Sequence, residues 1–224
     1  MFSRFLRWFF NTASALLTQR EIIGLDNLPP KGPYILAANH LSYFDLPLVF
    51  GIVGGENVTG WAAEKYARHP FFGPLLRMGR AIFIERGQVD RHAITAAVNW
   101  LAHGNIFGMA PEGTRSRTDS MSRGKTGIAY LAHEIDIPIV PIAVSGTEQA
   151  FAAWRRLRRP HFKMQVGQPF HLPPIDESRR SASLRANTDE VMCRIAAMLP
   201  PEYHGFYADH PRLLTLRPPD TTRS

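Results

Sequence analysis

Asn39-His40-Leu41-Ser42-Tyr43-Phe44-Asp45 places an imidazole and a carboxylate five residues apart, directly after the apolar run Tyr34–Ala38. In one continuous helix, residues five apart lie about 140° from each other, so His40 and Asp45 can meet only if the chain turns between them. His40 is therefore expected on a loop and Asp45 at the start of the next helix. A carboxylate that accepts from one imidazole nitrogen fixes the tautomer and stabilises the imidazolium, which leaves the other nitrogen to take a proton from an alcohol. Attack on a thioester then needs no covalent enzyme intermediate.

The spacing alone is weak evidence. Nine His and nine Asp in 224 residues give roughly 0.4 such pairs by chance, and a second copy exists in His204 and Asp209. That copy follows Leu199-Pro200-Pro201 rather than a buried strand and reads as coincidence. His40 is set apart by its place at a strand's carboxyl end, where open α/β sheets put their ligand crevices.

Other segments end strands in the same way. Ala110-Pro111-Glu112-Gly113-Thr114-Arg115-Ser116 follows a second apolar run, with a glycine and hydroxyls that permit close backbone approach and an Arg that can grip a phosphate. Phe83-Ile84-Glu85-Arg86 ends a third, and Arg123-Gly124-Lys125-Thr126-Gly127 opens a helix, whose N-terminus favours anions. Arg86, Arg115 and Lys125 could form one phosphate pocket. Read singly, each is also what a solvated surface charge looks like, and the Pro-Glu-Gly-Thr run an ordinary polar turn.

The elements that must position these groups alternate. Apolar runs at 34–38, 58–63, 81–84, 106–109 and 139–145, with a further candidate at 163–166, read as strands. Helical periodicity occupies 46–53, 71–78, 90–103, 125–135 and 183–199. The alternation predicts an α/β fold, a single domain with a mostly buried central sheet flanked by helices, spanning residues 21–210. Neither a repeat nor a composition break marks a second domain, and residues 211–224, rich in Pro and Arg, read as a flexible tail.

Residues 1–20 carry Phe2, Phe5, Leu6, Phe9, Ala13, Leu16 and Leu17 at helical spacing, with Arg4, Arg7 and Arg20 among them. Their longest charge-free stretch is far below the roughly 20 apolar residues a span needs. The segment is expected to be an amphipathic membrane-associating helix in the headgroup region; the alternative is an ordinary helix packed on the core. The net charge of +7 calls for an anionic partner, with lipid headgroups, an acidic carrier protein and nucleic acid all candidates. Trp154-Arg155-Arg156-Leu157-Arg158-Arg159 is a basic patch that suits any of the three, or a solvated face. The one cysteine, Cys193, cannot form an internal disulfide or a thiolate cluster, which favours an intracellular compartment, and the scattered His residues give no metal site.

Four blocks, in order, resemble those of the glycerolipid acyltransferase family that includes 1-acylglycerol-3-phosphate acyltransferases: Asn39-His40 through Asp45, Phe83-Ile84-Glu85-Arg86, Pro111-Glu112-Gly113-Thr114-Arg115-Ser116 and Ile139-Val140-Pro141-Ile142-Ala143. The resemblance covers roughly residues 25–147. Two departures are visible: Ala110 stands where the family often has an aromatic before Pro-Glu-Gly-Thr, and Gly124-Lys125 where it has Phe-Lys. The resemblance implies His40 as base with Asp45 as its partner, and substrate contacts from Arg86, Glu112, Gly113, Thr114, Arg115 and Lys125. It assigns the fourth block to acyl-chain contact or site architecture. It implies acyl transfer from acyl-CoA or acyl-carrier protein to a lysophospholipid, with 1-acylglycerol-3-phosphate as leading acceptor, no cofactor, no metal and no nucleic acid. The expected place of work is the cytoplasmic face of the cell membrane, peripheral or monotopic. Another lysolipid acceptor, or a non-catalytic anionic-lipid-binding protein of the same fold, are the alternatives. A hydrolase lacks its usual Gly-x-Ser-x-Gly nucleophile elbow here.

Overall fold

The computed structural model describes residues 2–55, 57–70, 72–85 and 90–216. Its strands are β1 (Gln19–Ile23), β2 (Tyr34–Ala38), β3 (Val58–Ala63), β4 (Ile82–Ile84), β5 (Ile106–Met109), β6 (Ile139–Ser145) and β7 (His161–Val166). They form one sheet in the order β1-β7-β6-β2-β5-β3-β4, parallel except where β7 runs antiparallel to β6. Around it lie the helices α1 (Phe2–Leu17), α2 (Asp45–Val53), α3 (Phe72–Met78), α4 (Arg91–Ala102), α5 (Gly127–Ile135), α6 (Ala150–Arg155), α7 (Arg180–Ala196) and α8 (Pro211–Leu216).

The continuous apolar runs become the central strands because both sheet faces are covered. Every residue of β2 and of β6 is buried. Successive side chains alternate between faces, so Ile35 and Ala37 join a core with Leu101 of α4, Leu131 of α5 and Ile195 of α7. Leu36 and Ala38 join a second core with Leu48 of α2 and Ala150 of α6. The expected α/β architecture is the one observed. Local signals set helix starts: Asp90, just before α4, accepts the Ala93 N–H at 3.0 Å as an N-cap.

α1 packs along α2. The two come so close at Gly51 that a Cβ there would lie 2.8 Å from the Asn11 nitrogen. Leu6 is buried in this contact, while Phe5, Trp8, Phe9 and Leu16 face outward and are about half exposed or more. One face of the helix thus packs on the protein, and an apolar face stays open.

Three short elements depart from the sequence reading. β1 takes residues 19 and 20, set there in the N-terminal helix, and pairs in parallel with β7; α6 was not anticipated. The loose tail expected from Pro211 is instead helical as far as Leu216, with Leu213 buried against the main core; residues 217–224 lie outside the described residues. Glu190 of α7 secures α8, receiving Arg212 Nη2 at 2.9 Å and Arg194 Nε at 2.6 Å.

The hydrogen bond from Arg212, aided by that from Arg194, outweighs partial burial and holds the Glu190 carboxyl below its ordinary value of 4.5. A carboxylate whose folded value is depressed contributes stability above its unfolded value and loses it as pH falls through the folded one. Glu190→Gln is therefore expected to lower Tm at pH 7 by on the order of 2–4 °C, the equivalent of about 1 kcal/mol in a chain of this size. The gap to the native protein should close as pH drops below 4.5. Thermal melts at pH 7 and pH 3 check this, and an equal gap at both would remove the ion pair as the cause.

Candidate active site

β2 lies between β5 and β6, parallel to both, with Leu36 beside Gly108 and Val140. Three strands therefore end at one sheet edge, and the loops that follow them, starting at Asn39, Ala110 and Gly146, emerge side by side. The Asn39 side chain anchors the first to β6 by donating to the Val144 carbonyl and accepting the Val144 N–H, both at 2.8 Å.

The chain turns between His40 and Asp45, and Asp45 opens α2, as its spacing predicts. Asp45 Oδ2 meets His40 Nδ1 at 2.8 Å and accepts the backbone N–H groups of Leu41 and Ser42, each at 2.7 Å. Oδ1 accepts the hydroxyl of Thr147, from the loop after β6. Asp45 and Thr147 are both buried. An ionised Asp45 thus has donors on both oxygens, and Nδ1 of His40 must carry the proton to be one of them. Nε2, without a partner among the described residues, is left as the acceptor, and His40 lines a cavity.

Glu112, expected to contact substrate, is turned into the protein and engaged with the backbone. The residue is 2% exposed, and its two carboxylate oxygens accept the backbone N–H of His40 at 2.8 Å and of Ser122 at 2.7 Å. Burial pushes its carboxyl above the usual range, against those hydrogen bonds. Glu112 ties the β5 loop to the His40 loop, as does the Ser116 N–H donated to the His40 carbonyl at 2.8 Å. Gly113 adopts φ 71°, a left-handed turn that favours glycine.

The cavity holds about 430 Å³, within the usual size of ligand sites. Its walls are apolar, from Leu6 and Phe10 of α1, Val49 and Phe50 of α2, and Leu75 and Leu76 of α3. His40, Thr114, Arg115, Arg117 and Lys65 also line it. The Arg115 guanidinium lies 3.8 Å from the centre of the Tyr43 ring and holds that phenol below its ordinary range.

Of the expected anion-binding residues, the structure therefore brings Thr114 and Arg115 together with His40. Lys125 instead folds over Gly113 and is not among the residues lining the cavity; Arg86 lies outside the described residues. The 139–143 block is buried in β6 and contributes to architecture, since none of it reaches the cavity. His204 is buried with Nε2 at 3.0 Å from the Leu199 carbonyl oxygen, while Asp209 is exposed, so the second copy of the spacing is indeed coincidental. Lys65, Arg117 and Thr147 were missed. Lys65 and Thr147 each lie two residues beyond the end of a strand, the same signal that singled out His40. Among the described residues no group of three His, Cys, Asp or Glu could hold a metal ion.

The C-terminal third holds this region in place. Tyr207 accepts the Gly124 N–H at 3.0 Å and donates to Asp189 at 3.0 Å, while Arg185 donates to the Gly124 carbonyl at 2.6 Å.

Two variants test these supports. Thr147→Val removes the donor to Asp45 Oδ1. A hydrogen bond to a charged group is worth about 1.5–3 kcal/mol, so turnover should fall by roughly ten- to hundredfold, with Thr147→Ser restoring most of it; equal turnover in the Val and Ser variants would mean the hydroxyl does not act through Asp45. Glu112→Ala leaves two N–H groups without their acceptor, at a cost of about 1–3 kcal/mol each where they are buried. Denaturant unfolding should register that loss, and Glu112→Gln, with one acceptor oxygen left, should lie between.

Residues 19–145 match the protein-family model described as Acyltransferase. The 1-acyl-sn-glycerol-3-phosphate acyltransferase of Saccharomyces cerevisiae is 33% identical over 133 residues, 57% of this chain and 43% of that protein. The enzyme of that name from Bacillus subtilis is 24% identical over 190 residues, 83% of this chain and 92% of its own. The one from Escherichia coli is 32% identical over 151 residues, 66% of this chain and 59% of its own. The chain thus spans less than half the length of the yeast relative and nearly all of the Bacillus one. The crystal structure of the 1-acyl-sn-glycerophosphate acyltransferase from Thermotoga maritima superposes with a TM-score of 0.64 over 84% of this chain and 78% of its own, at 22% identity, a likeness of fold. The matched region contains His40, Asp45 and the cavity-lining cations Lys65, Arg115 and Arg117, and covers more than half of the sequence; the chain belongs to the acyltransferase family.

Proposed function

We propose that the protein transfers a fatty acyl group from a thioester, acyl-CoA or acyl-carrier protein, to the free hydroxyl of a lysophospholipid, with 1-acylglycerol-3-phosphate as acceptor and phosphatidic acid as product. One observation carries this reading: a His–Asp pair and three cations line the same apolar cavity. Nε2 of His40 takes the proton of the acceptor hydroxyl as its oxygen attacks the thioester carbon. The carbon–sulfur bond then breaks, and the thiolate leaves with the proton from the imidazolium. Asp45 stabilises the imidazolium between those steps and keeps Nε2 turned outward.

Arg115, Arg117 and Lys65 suit the acceptor's phosphate, Arg by paired N–H donation and Lys as a point charge. The apolar walls suit an acyl chain. No helix among the described residues is long and apolar enough to cross a membrane. The open face of α1, with Phe5, Trp8, Phe9 and Leu16, supports attachment to a membrane surface at the headgroup level, here assigned to the cytoplasmic face.

Free-thiol release from an acyl thioester, with and without lysophosphatidic acid, tests the reading. His40→Ala should cut acceptor-dependent release by roughly 10²–10⁴-fold with the circular dichroism spectrum unchanged. Undiminished turnover in that variant would sink the mechanism. Release that ignores the acceptor would mark a thioesterase, and vesicle binding without release a binding protein.

A further inference from the structure

The turn after α6 takes no part in the site just described, yet its side chains are arranged in an unusual way. Leu157 is 97% exposed. Its backbone sits at φ 55°, in the left-handed region that L residues enter at a cost and that glycine or asparagine enters more easily. Arg155, Arg156 and Arg158 flank it, all exposed and without an ion-pair partner among the described residues. Phe151, one turn earlier, is 60% exposed. A leucine held in water among three uncompensated guanidiniums matches a partner that offers anionic groups at its surface and hydrocarbon beneath. A bilayer offers both at once, phosphates for the guanidiniums and acyl chains for the leucine.

The turn is also fastened to α1. Trp154 Nε1 donates to the Leu17 carbonyl at 3.1 Å, and Arg159 Nη2 donates to the Ala15 carbonyl at 2.6 Å and to that of Thr18. On its other side Phe44, the residue before Asp45, packs against Phe151 and Trp154 with ring centres 5.2 and 5.0 Å away. The end of α1, the turn and the start of the catalytic helix therefore form one assembly.

We infer that residues 155–158 are a second membrane-contact element, with Leu157 inserted among the headgroups of an anionic phospholipid bilayer and Arg155, Arg156 and Arg158 on their phosphates. A single helix on a surface defines a line and leaves the protein free to roll about it. A second contact off that line fixes the roll, and with it the angle at which the cavity meets the bilayer. This inference rests on the reading of α1 as a membrane-surface helix.

The test is co-sedimentation of the full chain with vesicles of phosphatidylcholine alone and of phosphatidylcholine with phosphatidylglycerol. Replacing Arg155, Arg156 and Arg158 by Gln together should weaken binding to the anionic vesicles by on the order of a hundredfold, roughly fivefold per arginine, and flatten its salt dependence. Leu157→Asn should weaken it by about tenfold, the effect expected for losing one inserted leucine, with Tm unchanged or raised because Asn tolerates the left-handed backbone. Both variants should keep native thiol release when the acceptor is presented in detergent micelles. Native vesicle binding in both overturns the inference. So does weakening by the arginine variant alone, which would reduce the turn to a charged patch, and so does loss of acyl-carrier-protein binding with vesicle binding intact. A paired Phe5→Ser and Trp8→Ser variant separates the premise: if it alone loses binding, α1 stands and the second element falls. If the native chain ignores both vesicles, the two membrane readings fall together while the thiol assay still judges the chemistry.

Discussion

Parallel pairing of β2 with β5 on one side and β6 on the other is the constraint on which the site depends. In a parallel arrangement neighbouring strands finish at the same edge, so three loops distant in sequence begin within hydrogen-bonding reach of one another. The first brings His40 and Asp45, the second Glu112 and Arg115, the third Thr147. Without burial on both faces, β2 and β6 could not hold their central positions.

Two buried carboxylates at this edge do different work. Asp45 is met by donors on both oxygens, one of them the His40 ring, and so fixes which nitrogen of that ring faces the cavity. Glu112 accepts the backbone N–H groups of His40 and Ser122, and its effect is to hold the two loops in fixed relation. Burying either without its donors would be costly. The hydrogen bonds that offset the cost are also the ones that set the geometry, so support and chemistry cannot be separated here. The C-terminal third extends the same logic, with Tyr207 and Arg185 holding the chain at Gly124.

The outer surface is organised around α1. Its inner face packs on α2 and lines the cavity through Leu6 and Phe10, while its outer face leaves aromatic rings in solvent. One helix thereby joins the interior of the site to an open apolar face. Its last turn is tied to α6 and the basic segment that follows, and through Phe44 to the His40 loop.

Much of this was legible in the residues alone. Periodicity and apolar runs located the central strands and the longer helices, because those signals are local and repeat over many positions. His40 and Asp45 stood out because a short loop between a strand and a helix can bring them together without help from the rest of the chain. β1, α6 and α8, five or six residues each, are too short to carry a period. Other features belong to the tertiary structure. Thr147 reaches Asp45 across 102 residues, and Glu112 reaches His40 across 72. Lys65 rather than Lys125 lines the cavity. Which of many strand-end residues meet depends on strand order and register. Those follow from how whole faces pack against one another, a property no local stretch of sequence contains.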